Sequence, residues 1–150
     1  MVSKGRAISY TRASLGYGWN QEKNAEVVFR QHLVGENPNE LTQEFKRVQS
    51  LNNRCKRNTL SFVISPTIKD GQRMKIKDFE KVTYKFIEEM KLGERQAIAF
   101  VHRDKKHTHL HLYVNRIDLR GIAYNDSFVS KRSQHAAAKV AEEMKLTTVK

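Results

Sequence analysis

The chain has 150 residues, of which 39% are apolar, so it is long and apolar enough for one domain with a buried core. Its 28 Lys and Arg outnumber 16 Asp and Glu, and the net charge of +12 favours a polyanionic partner, nucleic acid before an anionic membrane. Solubility alone is the other reading of this charge. No apolar run approaches the ~20 residues of a membrane-spanning helix, and no signal peptide is recognisable. The single cysteine excludes an intrachain disulfide and suits a reducing cytosol.

The first predicted strand lies around Ala7 to Tyr10 and leads into a glycine-rich segment. Gly16 and Gly18 flank Tyr17, which argues against a rigid helix interior at this point. The two glycines would let the backbone bring Tyr17 close to a partner. Ordinary packing of the aromatic ring is the alternative.

The next segments predict secondary structure and one basic cluster. Residues 25–34 are typical of a short strand or a helical turn, and residues 35–39 of a loop. A helix should follow, because apolar residues recur at helical spacing: Leu41, Phe45, Val48 and Leu51. Just beyond it, a cluster that either contacts phosphates or forms a solvated loop consists of Arg54, Lys56 and Arg57.

The middle and the end of the chain predict a strand and two further helices. β-Branched and aromatic residues favour a strand over Thr59–Ser65. Residues 67–75 should form a polar, basic loop. A strong amphipathic stripe predicts a helix over residues 76–91, with Gly93 as its stop, and a final helix is expected over residues 130–145.

Two adjacent segments predict a β-hairpin. Residues 95–102 form an apolar strand, residues 103–106 a short turn, and the alternation that begins at His107 a second strand. Strands, helices and this hairpin follow one another along the chain. That order predicts an α+β fold with an antiparallel sheet.

The hairpin carries four of the six histidines. Side chains at i, i+2 and i+4 of a strand share a face, so His107, His109 and His111 should project from one side of the sheet. His102 ends the preceding strand and should lie near the start of the second. Such crowding of imidazoles is typical of a metal or catalytic site rather than of a packed core.

The residues leave several chemistries open. A closed zinc site needs four Cys or His ligands, and Cys55 is distant in sequence. An open site made by His102, His109 and His111 would leave coordination positions for a phosphate oxygen and water. His107 would then be a spare ligand or a solvent-exposed residue.

Two polar residues could serve such an open site. Asp104 could hold an imidazole tautomer or act as a base. Asn115 lies four residues beyond His111, keeps the same face of the strand and could orient a substrate.

Two alternatives remain besides an open metal site. Residues 107–112 resemble the histidine triad of nucleotide hydrolases and transferases, although Thr108 stands where that family has an apolar residue. A non-catalytic, metal-stabilised nucleic-acid-binding module is the other alternative, and it predicts that chelation unfolds the domain.

The complete motif is His102-x-Asp104-x4-His109-x-His111-x3-Asn115. It resembles the metal motif of the MobA/VirD-type relaxases, the mobilisation nucleases of the HUH endonuclease superfamily. A Leu-Gly-Tyr17 segment near the start of the chain is similar to that family's nucleophile segment. Tyr10 is the second candidate for the nucleophile, and His107 is extra to the three-ligand pattern.

The resemblance carries expectations about the fold. It implies a five-stranded antiparallel sheet flanked by helices, with the metal histidines on two central strands. It implies one nickase domain over residues 1–150, as either a minimal relaxase or the N-terminal part of a longer protein. It also implies a bacterial, cytoplasmic protein.

The resemblance further implies site- and strand-specific nicking and rejoining of DNA for mobilisation of a plasmid or integrative element. Tyr17 would form a 5′-phosphotyrosine link, Asp104 would act as the base, and the ion would be Mg²⁺ or Mn²⁺, with Zn²⁺ or Ni²⁺ also possible in vitro. The implied partners are single-stranded DNA at a transfer origin, a relaxosome accessory protein and a coupling protein. The expected substrate contacts are Asn115, Arg103, Arg54, Arg57 and Lys106.

Overall fold

A computed structural model describes residues 1–9, 15–16, 25–104 and 107–148, with only the backbone of residue 104. Within these ranges five strands form one antiparallel sheet: β1 (Val2–Ile8), β2 (Ala25–Gln31), β3 (Thr59–Ser65), β4 (Ala97–Asp104) and β5 (His107–Asn115). The described helices are α1 (Pro38–Gln49), α2 (Ile68–Arg73), α3 (Ile76–Met90) and α4 (Val129–Glu143). The predicted α+β fold with a five-stranded antiparallel sheet is therefore confirmed.

The sheet has the strand order β1-β3-β5-β4-β2, so the two histidine-bearing strands lie in its interior. β4 and β5 are antiparallel neighbours from Ala97↔Val114 to Asp104↔His107, which confirms the predicted hairpin. β1 and β2 are the two edge strands.

The structure refines three of the predicted elements. The first strand starts at Val2, earlier than expected, because it pairs along its whole length with β3. Residues 25–34, left open between strand and helix, hold strand β2. The helix over residues 76–91 does not need Gly93 as its stop, since Lys91 itself takes the left-handed conformation at φ 58°.

The predicted loop over residues 67–75 was wrong, because it contains the short helix α2. Thr67 caps this helix by accepting a hydrogen bond from the Asp70 N–H. Asp70 is buried and accepts hydrogen bonds from the Thr147 N–H and the Arg73 guanidinium. Thr67 and Arg73 are each three residues from Asp70, whereas the Thr147 contact comes from the tertiary structure and could not be read from the polar composition of the segment.

The two faces of the sheet carry separate apolar clusters. The larger cluster packs α3 and α4 against one face and includes Phe62, Phe86 and Leu112. The smaller cluster lies on the other face and contains Leu15, Leu41, Ile98, Phe100 and Tyr113. Because Phe100 is opposite His111 in the register, the smaller cluster shares its face with the histidines.

Gly5 fixes the orientation of the edge strand β1. A Cβ atom at Gly5 would lie only 2.5 Å from the ring of Phe62, a residue of the larger cluster. Ser3, on the same side of the strand, hydrogen-bonds through its Oγ to Ser133 Oγ of α4 at 3.1 Å. The odd-numbered residues of β1 therefore face α4, and the even-numbered residues face the histidine side of the sheet.

None of the helices in the described ranges is both long enough and apolar enough to cross a membrane.

Candidate active site

The register of β4 and β5 brings three histidines together. His102 lies directly opposite His109, and His111 is two residues further along the same face of β5. The ring centroids of His102 and His111 are 4.5 Å apart, and those of His109 and His111 are 6.4 Å apart. The prediction that these histidines share one face of the sheet is thus confirmed.

His111 has a strongly perturbed pKa. Burial, followed by the neighbouring His102 and His109 imidazoles, lowers the pKa of His111 to about 4. His111 is therefore neutral at neutral pH. A neutral imidazole is the form that coordinates a metal ion.

Ser65, the last residue of β3, contacts the histidine cluster. Its Oγ lies 2.8 Å from Nδ1 of His109. When Nδ1 donates the proton of this hydrogen bond, Nε2 carries the lone pair and is free to bind an ion. Ser65 was missed in the sequence because it is 44 residues from His109, and only the pairing of β3 with β5 brings them together.

The donor set fits a divalent ion with open coordination positions. Three imidazoles without a fourth protein ligand are the arrangement of catalytic rather than structural metal sites. In the present side-chain conformations, no three His, Cys, Asp or Glu residues of the described ranges converge closely enough to hold an ion. Joint coordination by His102, His109 and His111 would therefore require rotation of their side chains on the unchanged strands.

His107 lies at the outer end of the cluster. Its side chain is exposed, and its ring stacks at 10° against the ring of His109, with centroids 6.1 Å apart. Its backbone is opposite that of Asp104 at the end of the hairpin. His107 is thus beside the three-histidine group but on its solvent side.

Asn115 does not join the site. It is completely buried, and its Nδ2 donates to Phe45 O at 3.1 Å and to Gln96 Oε1 at 2.8 Å. Its Oδ1 accepts from the Ile117 N–H at 3.0 Å. Asn115 shares the face of His111, as expected, but it lies about 14 Å further along the strand. This placement does not support contact with substrate; it makes Asn115 a structural link between α1 and the hairpin.

Arg103 also differs from its predicted role beside the histidines. Its guanidinium donates to Gly71 O at 3.2 Å and to Met74 O at 2.9 Å, and it lies 5.3 Å from the ring centroid of Phe79. These partners belong to the opposite side of the sheet from His102, as strand alternation requires. Arg103 therefore ties the junction of α2 and α3 to the hairpin.

The remaining predicted contacts lie apart from the histidines or outside the described residues. Arg54 and Arg57 are exposed in the loop before β3, and the seven residues of β3 from Thr59 to Ser65 separate them from His109 by about 20 Å. The side chain of Asp104 and all of Tyr10, Tyr17 and Lys106 lie outside the part of the chain that the structure describes.

Imidazoles on adjacent interior strands of a sheet are side chains that can bind a divalent ion, and such an ion can polarise a phosphate. Residues 17–146 match the family model described as Relaxase: MobA/VirD2-like, nuclease domain. Since this match covers most of the chain, the protein belongs to that family. It is a relaxase nuclease domain, which implies that it nicks DNA and binds single strands. No curated protein matches the sequence at a significant level.

Proposed function

We propose that the domain is a site- and strand-specific relaxase that nicks and rejoins one DNA strand to mobilise a plasmid or integrative element. The observation that carries this proposal is the placement of His102, His109 and His111 on one sheet face in a chain of the relaxase nuclease family. A relaxosome accessory protein and a coupling protein are the further partners that we propose.

The proposed reaction is a transesterification. The Tyr17 phenol oxygen forms a bond to the scissile phosphorus, and the bond from phosphorus to the 3′ oxygen breaks. The products are a 5′-phosphotyrosine link and a free 3′-hydroxyl, which takes up a proton. Because one phosphoester replaces another, the strand can later be rejoined by the reverse reaction.

The reaction needs a group that takes the phenol proton and one that stabilises charge. We assign the proton to Asp104, whose backbone lies opposite His107 at the end of the hairpin. A divalent ion held by His102, His109 and His111 would polarise the phosphate as a Lewis acid. Mg²⁺ or Mn²⁺ is proposed in cells, whereas imidazole ligands would also accept Zn²⁺ or Ni²⁺ in vitro.

The described residue Leu15 supports Tyr17 as the nucleophile. Leu15 is completely buried in the cluster that contains Phe100 and Tyr113, on the histidine side of the sheet. Tyr17 follows two residues later, and two residues span at most about 7 Å. Tyr17 also lies within the matched residues 17–146, whereas Tyr10 precedes them.

Basic residues would neutralise the phosphates of the DNA. Arg54, Arg57 and Lys106 keep this proposed role, with Arg54 and Arg57 contacting DNA at a distance from the cleavage point. Arg103 instead ties the hairpin to the end of α2, and Asn115 ties it to α1. Both residues affect the site by holding the hairpin in place.

The test is covalent capture of single-stranded oligonucleotides tiled over the DNA that flanks the coding sequence, with Mn²⁺. A 3′-labelled oligonucleotide should give a denaturant-resistant protein adduct. The same oligonucleotide with a 5′ label should give only a shorter free fragment. Absence of any adduct over the tiled set, or an adduct that retains the 5′ label, would overturn the proposed reaction.

Two matched pairs of variants distinguish the nucleophile from the other tyrosine and a metal ligand from the neighbouring histidine. Tyr17→Phe should abolish the adduct and leave DNA binding intact, whereas Tyr10→Phe should keep it; the reverse result makes Tyr10 the nucleophile. His111→Ala should lose ion-dependent adduct formation, whereas His107→Ala should retain it. Equal loss in both histidine variants would show that His107 belongs to the ligand set.

A further inference from the structure

Two exposed cations of the edge strand β1 face the same side of the sheet as the histidines. Lys4 pairs with Val63 of β3, and Val63 pairs with His111 of β5. Arg6 pairs with Ser61 in the same manner. Residues that pair across neighbouring strands lie on one face, so Lys4, Arg6 and His111 share it.

The packing of β1 confirms this orientation. Ser3 and Gly5, which alternate with Lys4 and Arg6, contact Ser133 of α4 on the opposite face. Both cations are exposed, and among the described residues neither forms an ion pair with a carboxylate.

Among the described residues, the surface between these cations and the histidines carries no acidic side chain. We name it the β1–β3 face, and it consists of the residues of β1 and β3 that point to the histidine side and are not completely buried: Val2, Lys4, Arg6, Ile8, Ser61, Val63 and Ser65. Val2 is 44% exposed, and Ser61, Val63 and Ser65 are partly exposed. The helix α1 covers the Thr59 end of β3, where Gln49 donates a hydrogen bond to Thr59 Oγ1, and its Leu41 packs in the smaller cluster on β4 and β5.

The distances match a nucleic-acid strand that continues from the histidines. Neighbouring strands are about 4.8 Å apart, so the backbone of Lys4 lies about 10 Å from that of His111. Lys4 and Arg6 are separated by about 7 Å along β1. A flexible polyanion whose phosphate lies at His111 could therefore reach both cations within its next few nucleotides, without meeting a carboxylate of β1 or β3.

We propose that the β1–β3 face binds the single-stranded DNA next to the scissile phosphate, with Lys4 and Arg6 contacting backbone phosphates. This inference rests on the proposed function, because it places the cleaved phosphate at the histidines. Small side chains on β3 leave room for the strand to cross towards the edge of the sheet. Lys4 and Arg6 confer affinity without sequence preference, since they neutralise phosphates and do not read bases.

The test compares the double variant Lys4→Gln/Arg6→Gln with a matched double variant, Lys77→Gln/Lys81→Gln, in the full chain. Lys77 and Lys81 are exposed on α3, which packs against the opposite face of the sheet. The dissociation constant of a fluorescent oligodeoxythymidine is measured over a range of salt concentrations, without metal. The unfolding midpoint of each variant establishes that it is folded.

Loss of two phosphate contacts should lower the slope of log K against log salt by about 0.7 for each contact. Binding at moderate salt should weaken roughly ten-fold in Lys4→Gln/Arg6→Gln. Lys77→Gln/Lys81→Gln should behave as the parent protein. The same slope and affinity in both double variants, or no salt-dependent binding by the parent protein, would overturn the inference.

Covalent capture of the tiled oligonucleotides by the parent protein is measured separately, so that the two proposals can fail independently. Parent protein that forms the adduct while both double variants bind DNA alike would overturn the role of the β1–β3 face alone. Parent protein that forms no adduct would overturn the proposed reaction, and with it the adjacency of this face to a cleaved phosphate.

Discussion

The ring centroid of His102 lies 4.5 Å from that of His111, although the residue directly opposite His102 in the sheet is His109. The contact is therefore a diagonal one across the hairpin. Diagonal neighbours on one face of a sheet are within reach of long and aromatic side chains. This geometry concentrates three imidazoles over two strands whose backbone positions are set by the hairpin and by both apolar clusters.

Chelation should leave the fold intact. The apolar clusters that hold the sheet lie beside and behind the imidazoles and contain no histidine. We expect EDTA to keep the circular-dichroism spectrum unchanged, while an added ion at 100 times its dissociation constant should stabilise the fold by about 2.7 kcal/mol. His111→Ala is the control and should show a much smaller ion-induced shift of the unfolding midpoint. Unfolding by chelator would instead favour a structural metal module.

Ser65→Ala should weaken ion binding about ten-fold, because Nδ1 of His109 would lose the hydrogen-bond partner that orients the imidazole ring. Isothermal titration with Mn²⁺ or Ni²⁺ measures this directly. Ser65→Thr keeps the hydroxyl and should bind the ion nearly as the parent protein does. Ser61→Ala, four residues earlier on the same face of β3, is the second control, and an equal loss there would contradict a specific role of Ser65.

Asn115→Ala should destabilise the protein rather than specifically weaken DNA binding. The substitution removes the partner of Phe45 O, Gln96 Oε1 and the Ile117 N–H in a fully buried environment. The expected loss is about 2–4 kcal/mol in urea unfolding, whereas exposed Asn53→Ala should change stability by less than about 0.5 kcal/mol. An Asn115→Ala protein that is fully stable but binds DNA weakly would restore the substrate role predicted for this residue.

Asp118 should make stability depend on pH in the acid range. Burial alone would raise the pKa of Asp118, but hydrogen bonds from the Ile122 and Arg120 N–H groups and the Arg95 charge hold it below its usual value. A lowered pKa adds stability above the unfolded pKa of about 3.9, and this stability is lost as the pH falls through the folded pKa.

A comparison of the parent protein with Asp118→Asn tests the direction of this pH dependence of stability. The amide oxygen can still accept both N–H groups, but it does not titrate. We expect the difference in free energy of unfolding to be largest near pH 7 and to shrink below about pH 4. Urea unfolding at several pH values measures it, and a difference that grows as the pH falls would contradict the lowered pKa.

Gly5→Ala should destabilise the edge strand, because the new methyl group would lie 2.5 Å from the Phe62 ring. Overpacking of this kind costs about 1–3 kcal/mol. Gly93→Ala is the matched control, since nothing lies within 4 Å of a Cβ atom there. Equal stabilities of the two variants would contradict the register of β1 with β3, and therefore the side of the sheet on which Lys4 and Arg6 lie.

Local patterns in the sequence were sufficient for the hairpin and its histidines. Alternation along β5 placed His109 and His111 on one face, and the short turn brought His102 beside them, because both relationships depend only on strand periodicity and chain proximity. The α+β class followed from the order of strands and helices for the same reason. The helix α2 was not predicted, because its Asp70 is stabilised by a hydrogen bond from Thr147, 77 residues away.

Tertiary structure decided which neighbours of the histidines belong to the site. Asn115 and Arg103 had suitable chemistry and spacing, but their hydrogen bonds go to α1 and to the junction of α2 and α3. Ser65 and Lys4 join the histidine face only because β3 lies between β1 and β5. Pairing between strands that are distant along the chain depends on how the whole sheet buries its two apolar clusters, and periodicity within one segment carries no information about it.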